Sequence, residues 1–138
     1  MKASELRLGN RVYWESAPGV LNAEKLSIAD WVAIAEEAEG SQHYKPIPIT
    51  EEWLKEFGFE FRDYFVNDEE DDEIFMSYRL KIEKTLMSFE LSMNPDGYHD
   101  FLVHFTWQSE SGVIARIQFI HQLQNLYFAL TGKELEKE

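Results

Sequence analysis

Between residues 74 and 119 the chain alternates apolar with polar side chains in successive short runs. Ile74, Met76, Tyr78, Leu80 and Ile82 alternate with Ser77, Arg79, Lys81 and Glu83. Met87, Phe89, Leu91 and Met93 alternate with Ser88, Glu90 and Ser92, and the pattern resumes at Phe101, Val103, Phe105 and Trp107 and again at Val113, Ala115, Ile117 and Phe119. Upstream, Phe59, Phe61 and Phe65 fall on one parity as well. Neighbouring side chains of a strand point to opposite faces, so a period of two means extended chain with one apolar face. Turn signals separate the runs: a polar break from Asn67 to Asp72, a turn at Lys84, Asn94-Pro95-Asp96-Gly97, and Ser109-Glu110-Ser111-Gly112. Short connections between such runs predict an antiparallel meander of about five strands whose apolar face needs cover.

The residues that follow supply a candidate cover. Apolar positions 119, 120, 123, 126, 127 and 130 make one helical stripe, and Gly132 stands where a left-handed cap is wanted. A second, shorter helix is predicted after the extended stretch Tyr44-Lys45-Pro46-Ile47-Pro48-Ile49: Thr50 caps it, Glu51 and Glu52 lie at its positive end, Trp53, Leu54 and Phe57 form its apolar side, and Gly58 ends it. Near the start, Arg11-Val12-Tyr13-Trp14 and a stretch from Val20 to Leu26, joined through Pro18-Gly19, predict a small hairpin. Ser27 and Asp30 then form a capping box for a helix over Trp31, Val32, Ile34 and Ala35 that ends by Gly40. The expectation is an α+β fold: a β-meander covered on one face by the C-terminal helix, with an N-terminal hairpin and short helices. One domain over 1–138 is expected, with a small sub-lobe at 1–43, the main sheet and helix at 44–132, and a charged tail at 133–138 that frays.

Composition narrows function by exclusion. The chain has no cysteine, which removes disulfides, thiolate zinc sites and cysteine nucleophiles. It shows no signal-peptide core and no apolar run of membrane-spanning length, so a soluble cytoplasmic setting is expected. The net charge of −13 is unevenly spread: residues 48–73 carry eleven acidic and two basic side chains, a net −9. Without a basic cluster to displace counterions, direct nucleic-acid binding is not expected.

Within that window, Asp68, Glu69, Glu70, Asp71, Asp72 and Glu73 are six consecutive carboxylates and form the candidate contact surface. A helix-loop-helix calcium loop needs a glycine at its sixth position and a glutamate at its twelfth, and this run contains no glycine. Its plain structural reading is a solvated turn held open by repulsion. Of the four histidines, His99 and His104 lie an odd number apart and so on opposite strand faces. Asp100 and His104 share a face but offer two ligands where a catalytic zinc needs three. His121, beside Gln122, Gln124 and Asn125, is placed on the polar edge of the last helix. No Gly-x-Ser-x-Gly elbow and no phosphate-cradling glycine loop occurs. No catalytic, metal or cofactor residues are therefore assigned. Tyr13, Tyr64 and Phe75 fall on the polar parity of their strands and, if clustered, mark a contact site.

Three stretches together resemble a known group. They are Met1-Lys2-Ala3-Ser4-Glu5-Leu6-Arg7-Leu8-Gly9-Asn10, then Tyr44-Lys45-Pro46-Ile47-Pro48-Ile49-Thr50-Glu51-Glu52-Trp53-Leu54 with Phe57-Gly58-Phe59, and His121-Gln122-Leu123-Gln124-Asn125-Leu126-Tyr127-Phe128-Ala129-Leu130-Thr131-Gly132. In this order they resemble short uncharacterised proteins of phages and prophage-like regions of gut bacteria. The resemblance covers about a third of the chain directly, and residues 15–43 and 60–115 depart from it. It implies context, a small accessory protein inside a bacterial cell, and brings no catalytic residues. The expected function is a non-enzymatic binding protein whose acidic window meets a basic protein surface, in one form as a decoy of nucleic acid. The alternatives are a small carboxylate-dependent hydrolase or nucleotide-processing enzyme, and a protein that sequesters a small ligand in an aromatic pocket around Trp14, Trp31 or Trp107.

Overall fold

The computed structural model describes residues 2–37, 41–68, 71–81, 87–93, 101–107 and 110–136. It has the expected α+β class, with two antiparallel sheets, of three and five strands. By internal contacts the chain divides into two compact units, Met1–Ile49 with Phe119–Glu136, and Thr50–Gln118.

In the first unit, strands β1 (Arg11–Ala17) and β2 (Val20–Lys25) form the expected hairpin, and the two-residue β3 (Tyr44–Lys45) pairs with the other edge of β1. Helix α1 (Ile28–Ala35) starts at the capping box read from the sequence: Ser27 Oγ accepts from Asp30 N at 3.2 Å, and Asp30 Oδ2 accepts from Ser27 N at 2.9 Å. Such a cap holds orphan N–H groups that water would otherwise have to satisfy. The helix stops at Ala35, and Glu37 takes a left-handed backbone with φ +51°. Leu6, Val12, Leu26 and Ile34 are buried together, with Ala3, Trp31 and Tyr44 packed against them. Full burial of an aliphatic side chain of this size contributes about 1.5–3 kcal/mol. Trp31 keeps its indole N–H satisfied by donating to the Ala3 carbonyl at 3.2 Å.

Helix α3 (Ile120–Thr131) belongs to this first unit. Gln122 Oε1 reaches back to accept from Phe119 N at 3.0 Å, and Ile120 N donates to the Ile47 carbonyl at 2.8 Å. Gly132 ends the helix at φ +72°, its N–H on the Phe128 carbonyl, as the sequence predicts. One expectation for α3 is overturned. His121 does not lie on a polar edge; it is 1% exposed, and Gln124 beside it is 3% exposed.

The second unit holds helix α2 (Glu51–Glu56), capped by Thr50, and the meander β4 (Glu60–Asp68), β5 (Asp71–Lys81), β6 (Met87–Met93), β7 (Phe101–Trp107) and β8 (Glu110–Ile117) in sequence order across the sheet. Leu54, Phe57, Phe59, Tyr78, Phe89, Leu91, Phe101, Val103 and Ile117 are its buried apolar residues. Phe89 and Phe105, opposite in register, meet edge to face at 5.2 Å between centroids, a geometry that the ring quadrupoles favour. Two details depart from the alternation rule. Ser77, Ser88 and Ser92, on the polar parity, are buried, and Ser77 stands opposite Ser92. A serine rises little above a sheet, so long neighbours on the same face take the solvent in its place. Trp107, on the apolar parity, is 47% exposed because it lies at the last position of β7, where the ladder ends.

Candidate functional site

The polar side of α3 is an internal clasp. Asn10, wholly buried, accepts from Arg7 N at 2.6 Å through Oδ1 and donates to Asn125 Oδ1 at 2.9 Å through Nδ2. Asn125 Nδ2 donates to the Glu5 carbonyl at 2.8 Å, and Gln124 Oε1 accepts from Arg11 N at 2.8 Å. Arg7 pairs with Glu134 and lays its guanidinium 3.8 Å from the Phe128 ring centroid. The first and last of the three familiar stretches are thus joined by hydrogen bonds. His121 is the exception. It stacks on Phe119 at 5.9 Å, and neither ring nitrogen has a hydrogen-bond partner among the described residues. Burial pushes its pKa down, against a smaller upward pull from Glu5.

A hollow of about 560 Å³ lies in the same unit, lined among others by Lys2, Ser4, Ile34, Glu37, Gln42 and Tyr44. Tyr44 donates to Asp30 Oδ1 at 2.5 Å. Burial, then that hydrogen bond, raises the Tyr44 pKa to about 12. Burial pushes the Asp30 carboxyl up, but hydrogen bonds from Tyr44 and Ser27 outweigh it and the net shift is down. The pair is therefore a neutral phenol hydrogen-bonded to a carboxylate. Trp14 packs on Tyr44 at 4.8 Å and on His43 at 5.3 Å between centroids. Among the described residues Glu37 is the single carboxylate in the hollow's lining, so no pair of described carboxylates of the kind a hydrolase needs converges there. Among the described residues no three His, Asp or Glu side chains are grouped to hold a metal ion. Asp100 and His99 lie outside the described residues, and His104 stands opposite Glu90 on β6 and Val113 on β8.

The acidic run falls where β4 and β5 pair. Val66 stands opposite Glu73, Asn67 opposite Asp72, and Asp68 opposite Asp71. Glu69 and Glu70 lie outside the described residues. The strands thus extend into the polar break read from the sequence. Ladder hydrogen bonds use backbone groups alone, and the aromatic and aliphatic pairs Tyr64–Phe75 and Phe65–Ile74 in the same register lead into it. Two of the aromatics on polar parity, Tyr64 and Phe75, are therefore cross-strand neighbours, whereas Tyr13 lies on β1 opposite Ala23 and Lys45.

On the other side of the five-stranded sheet, β8 is an edge. There Val113 is 55% and Ile114 45% exposed. No sequence pattern flagged this, because alternation reports which residues share a face and not which strand lies outermost.

Compared with protein-family models, with curated proteins and with solved structures, the chain matches none of them. Among the described residues no helix is long and apolar enough to cross a membrane.

Proposed function

We propose that the chain is a non-enzymatic binding protein that offers an acidic surface to a basic protein partner in the bacterial cytoplasm, in the setting of a phage or prophage accessory protein. The observation that carries the reading is the register of the acidic run. Asp68 is placed directly opposite Asp71, with Asp72 and Glu73 following on the same strand. Like charges directly opposite in a ladder cost stability, and a basic surface laid on them returns that cost as binding free energy. The test is capture from bacterial lysate on immobilised protein at low and moderate salt, read by mass spectrometry. A stoichiometric partner that releases as salt rises, and is lost when residues 68–73 are neutralised to Asn and Gln, supports the proposal. Absence of a partner at either salt contradicts it.

A second reading, sequestration of a small ligand, is favoured by the hollow beside Tyr44, whose volume of about 560 Å³ lies in the range of ligand pockets. Trp14, packed at a tilt against Tyr44, is its reporter, so a ligand entering the hollow alters tryptophan emission and Trp14→Phe removes that change.

A further inference from the structure

Two cations face each other at the open end of the N-terminal hairpin. Arg11 begins β1 and Lys25 ends β2, and the register sets them directly opposite. Like charges so placed repel, and a carboxylate laid beside both removes the repulsion. Among the described residues Arg11 makes no ion pair. Lys25 reaches Glu136 at 3.9 Å, with both side chains more than half exposed.

The segment that follows α3 already lies on this pair. Thr131 Oγ1 accepts from Lys133 N at 3.1 Å and shapes the exit from the helix. Beyond it Leu135 is 4% exposed, between exposed Glu134 and Glu136. Glu134 pairs with Arg7, and Glu136 with Lys25. Among the described residues no backbone hydrogen bond holds 134–136. One leucine and two exposed ion pairs carry the attachment, and exposed pairs contribute little. The entropy of ordering the segment opposes it. Nor does the segment fill its site: a hollow of about 100 Å³ remains beside Leu135, walled by Leu8, Gly9, Arg11, Lys25 and Gln124. All these groups belong to the first compact unit.

We propose that this socket recognises a short acid–leucine–acid segment of a partner protein, and that Glu134-Leu135-Glu136 is its built-in competitor. The chain's own segment defines the chemistry of the ligand, a leucine for the apolar socket and flanking carboxylates for the cations. A second copy brings the same three residues and a further net charge of −13, so it improves on nothing already in place. A partner segment whose carboxylate reaches Arg11 as well as Lys25 does improve on it. The site is separate from the acidic run of residues 68–73 and takes the opposite charge, so it stands whether or not that surface binds a basic protein.

The test uses the full chain and a fluorescent synthetic peptide, Asp-Glu-Leu-Glu-Asp, followed by anisotropy. Leu135→Ser releases the competitor. Glu134→Gln with Glu136→Gln loosens it at exposed positions and serves the same comparison if Leu135→Ser fails to fold. The wild type is expected to bind saturably, but about tenfold more weakly than the released chain, because it is open for only part of the time. Arg11→Glu, which keeps the backbone N–H bond to Gln124, is expected to lower the affinity of the released chain at least about tenfold. Four results overturn the proposal: no saturable binding to the wild type, equal binding to the wild type and the released chains, no effect of Arg11→Glu, or equal binding of a peptide with serine in place of leucine. Concentration-dependent dimerisation of the wild type that Leu135→Ser abolishes makes a second copy the occupant and overturns it as well.

Discussion

Asn10→Ala tests the idea that the polar face of α3 is an internal clasp. Asn10 is wholly buried and makes two side-chain bonds, from Arg7 N at 2.6 Å and to Asn125 Oδ1 at 2.9 Å. A net hydrogen bond contributes about 1 kcal/mol, and a donor or acceptor left buried without a partner costs about 1–3 kcal/mol more. The truncation removes both bonds and leaves the half-buried Arg7 amide without its acceptor. The backbone bonds of residue 10, from Leu26 N at 2.8 Å and to the Arg7 carbonyl at 3.1 Å, survive. The expected loss is about 3 kcal/mol, read by urea unfolding followed by far-UV circular dichroism. Asn125→Ala also loses the bond to the Glu5 carbonyl. Because the two asparagines share one bond, the double variant should cost about 1 kcal/mol less than the sum of the single ones. A loss below ~1 kcal/mol for Asn10→Ala, or strict additivity, refutes the clasp.

His121 makes stability pH-dependent. Its folded pKa lies below the unfolded value because burial disfavours the cation, so its contribution is full above the ordinary histidine range near 6.5 and is lost as pH falls through the folded pKa. The slope in that window is at most about 1.4 kcal/mol per pH unit. His121→Phe should flatten the profile between pH 7 and 5 in urea titrations; an unchanged profile contradicts the assignment. Glu37 holds a left-handed backbone that costs a non-glycine residue about 1–2 kcal/mol, and its charge opposes the helix dipole at the end of α1. Glu37→Gly loses part of that gain to a more flexible unfolded chain, so a net stabilisation of about 0.5–1 kcal/mol is expected in the same assay. Ser27→Ala removes the α1 cap and should cost ~1 kcal/mol.

Much of the fold is legible where the signals are local. The Ser27–Asp30 box, the Thr50 cap, the Gly132 terminator and the alternation of the five strands each act within a few residues, and each appears in the structure. Where the structure departs from the sequence pattern, the cause is shared: polarity does not fix exposure. Gln124 is polar and buried because its partner is the Arg11 amide, 113 positions away in sequence, and no local pattern encodes that distance. Ser77 and Ser92 are polar and buried because they are short and face each other mid-sheet. Trp107 is apolar and half exposed because its strand ends there. The compactness of α3 with the N-terminal residues rests on the same long-range bonds. The acidic run was legible as composition, but its register, with Asp68 opposite Asp71, was not.

The central claim is that the carboxylates of residues 68–73 guide a basic protein onto this chain. The direct measurement is the association rate of the captured partner against ionic strength, for the wild type and for the chain with Asp68, Glu69, Glu70, Asp71, Asp72 and Glu73 neutralised. Electrostatic steering predicts a wild-type rate that falls steeply between low and physiological salt, and a neutralised chain whose rate is lower and nearly flat. Rates that match in the two proteins at every salt concentration contradict it.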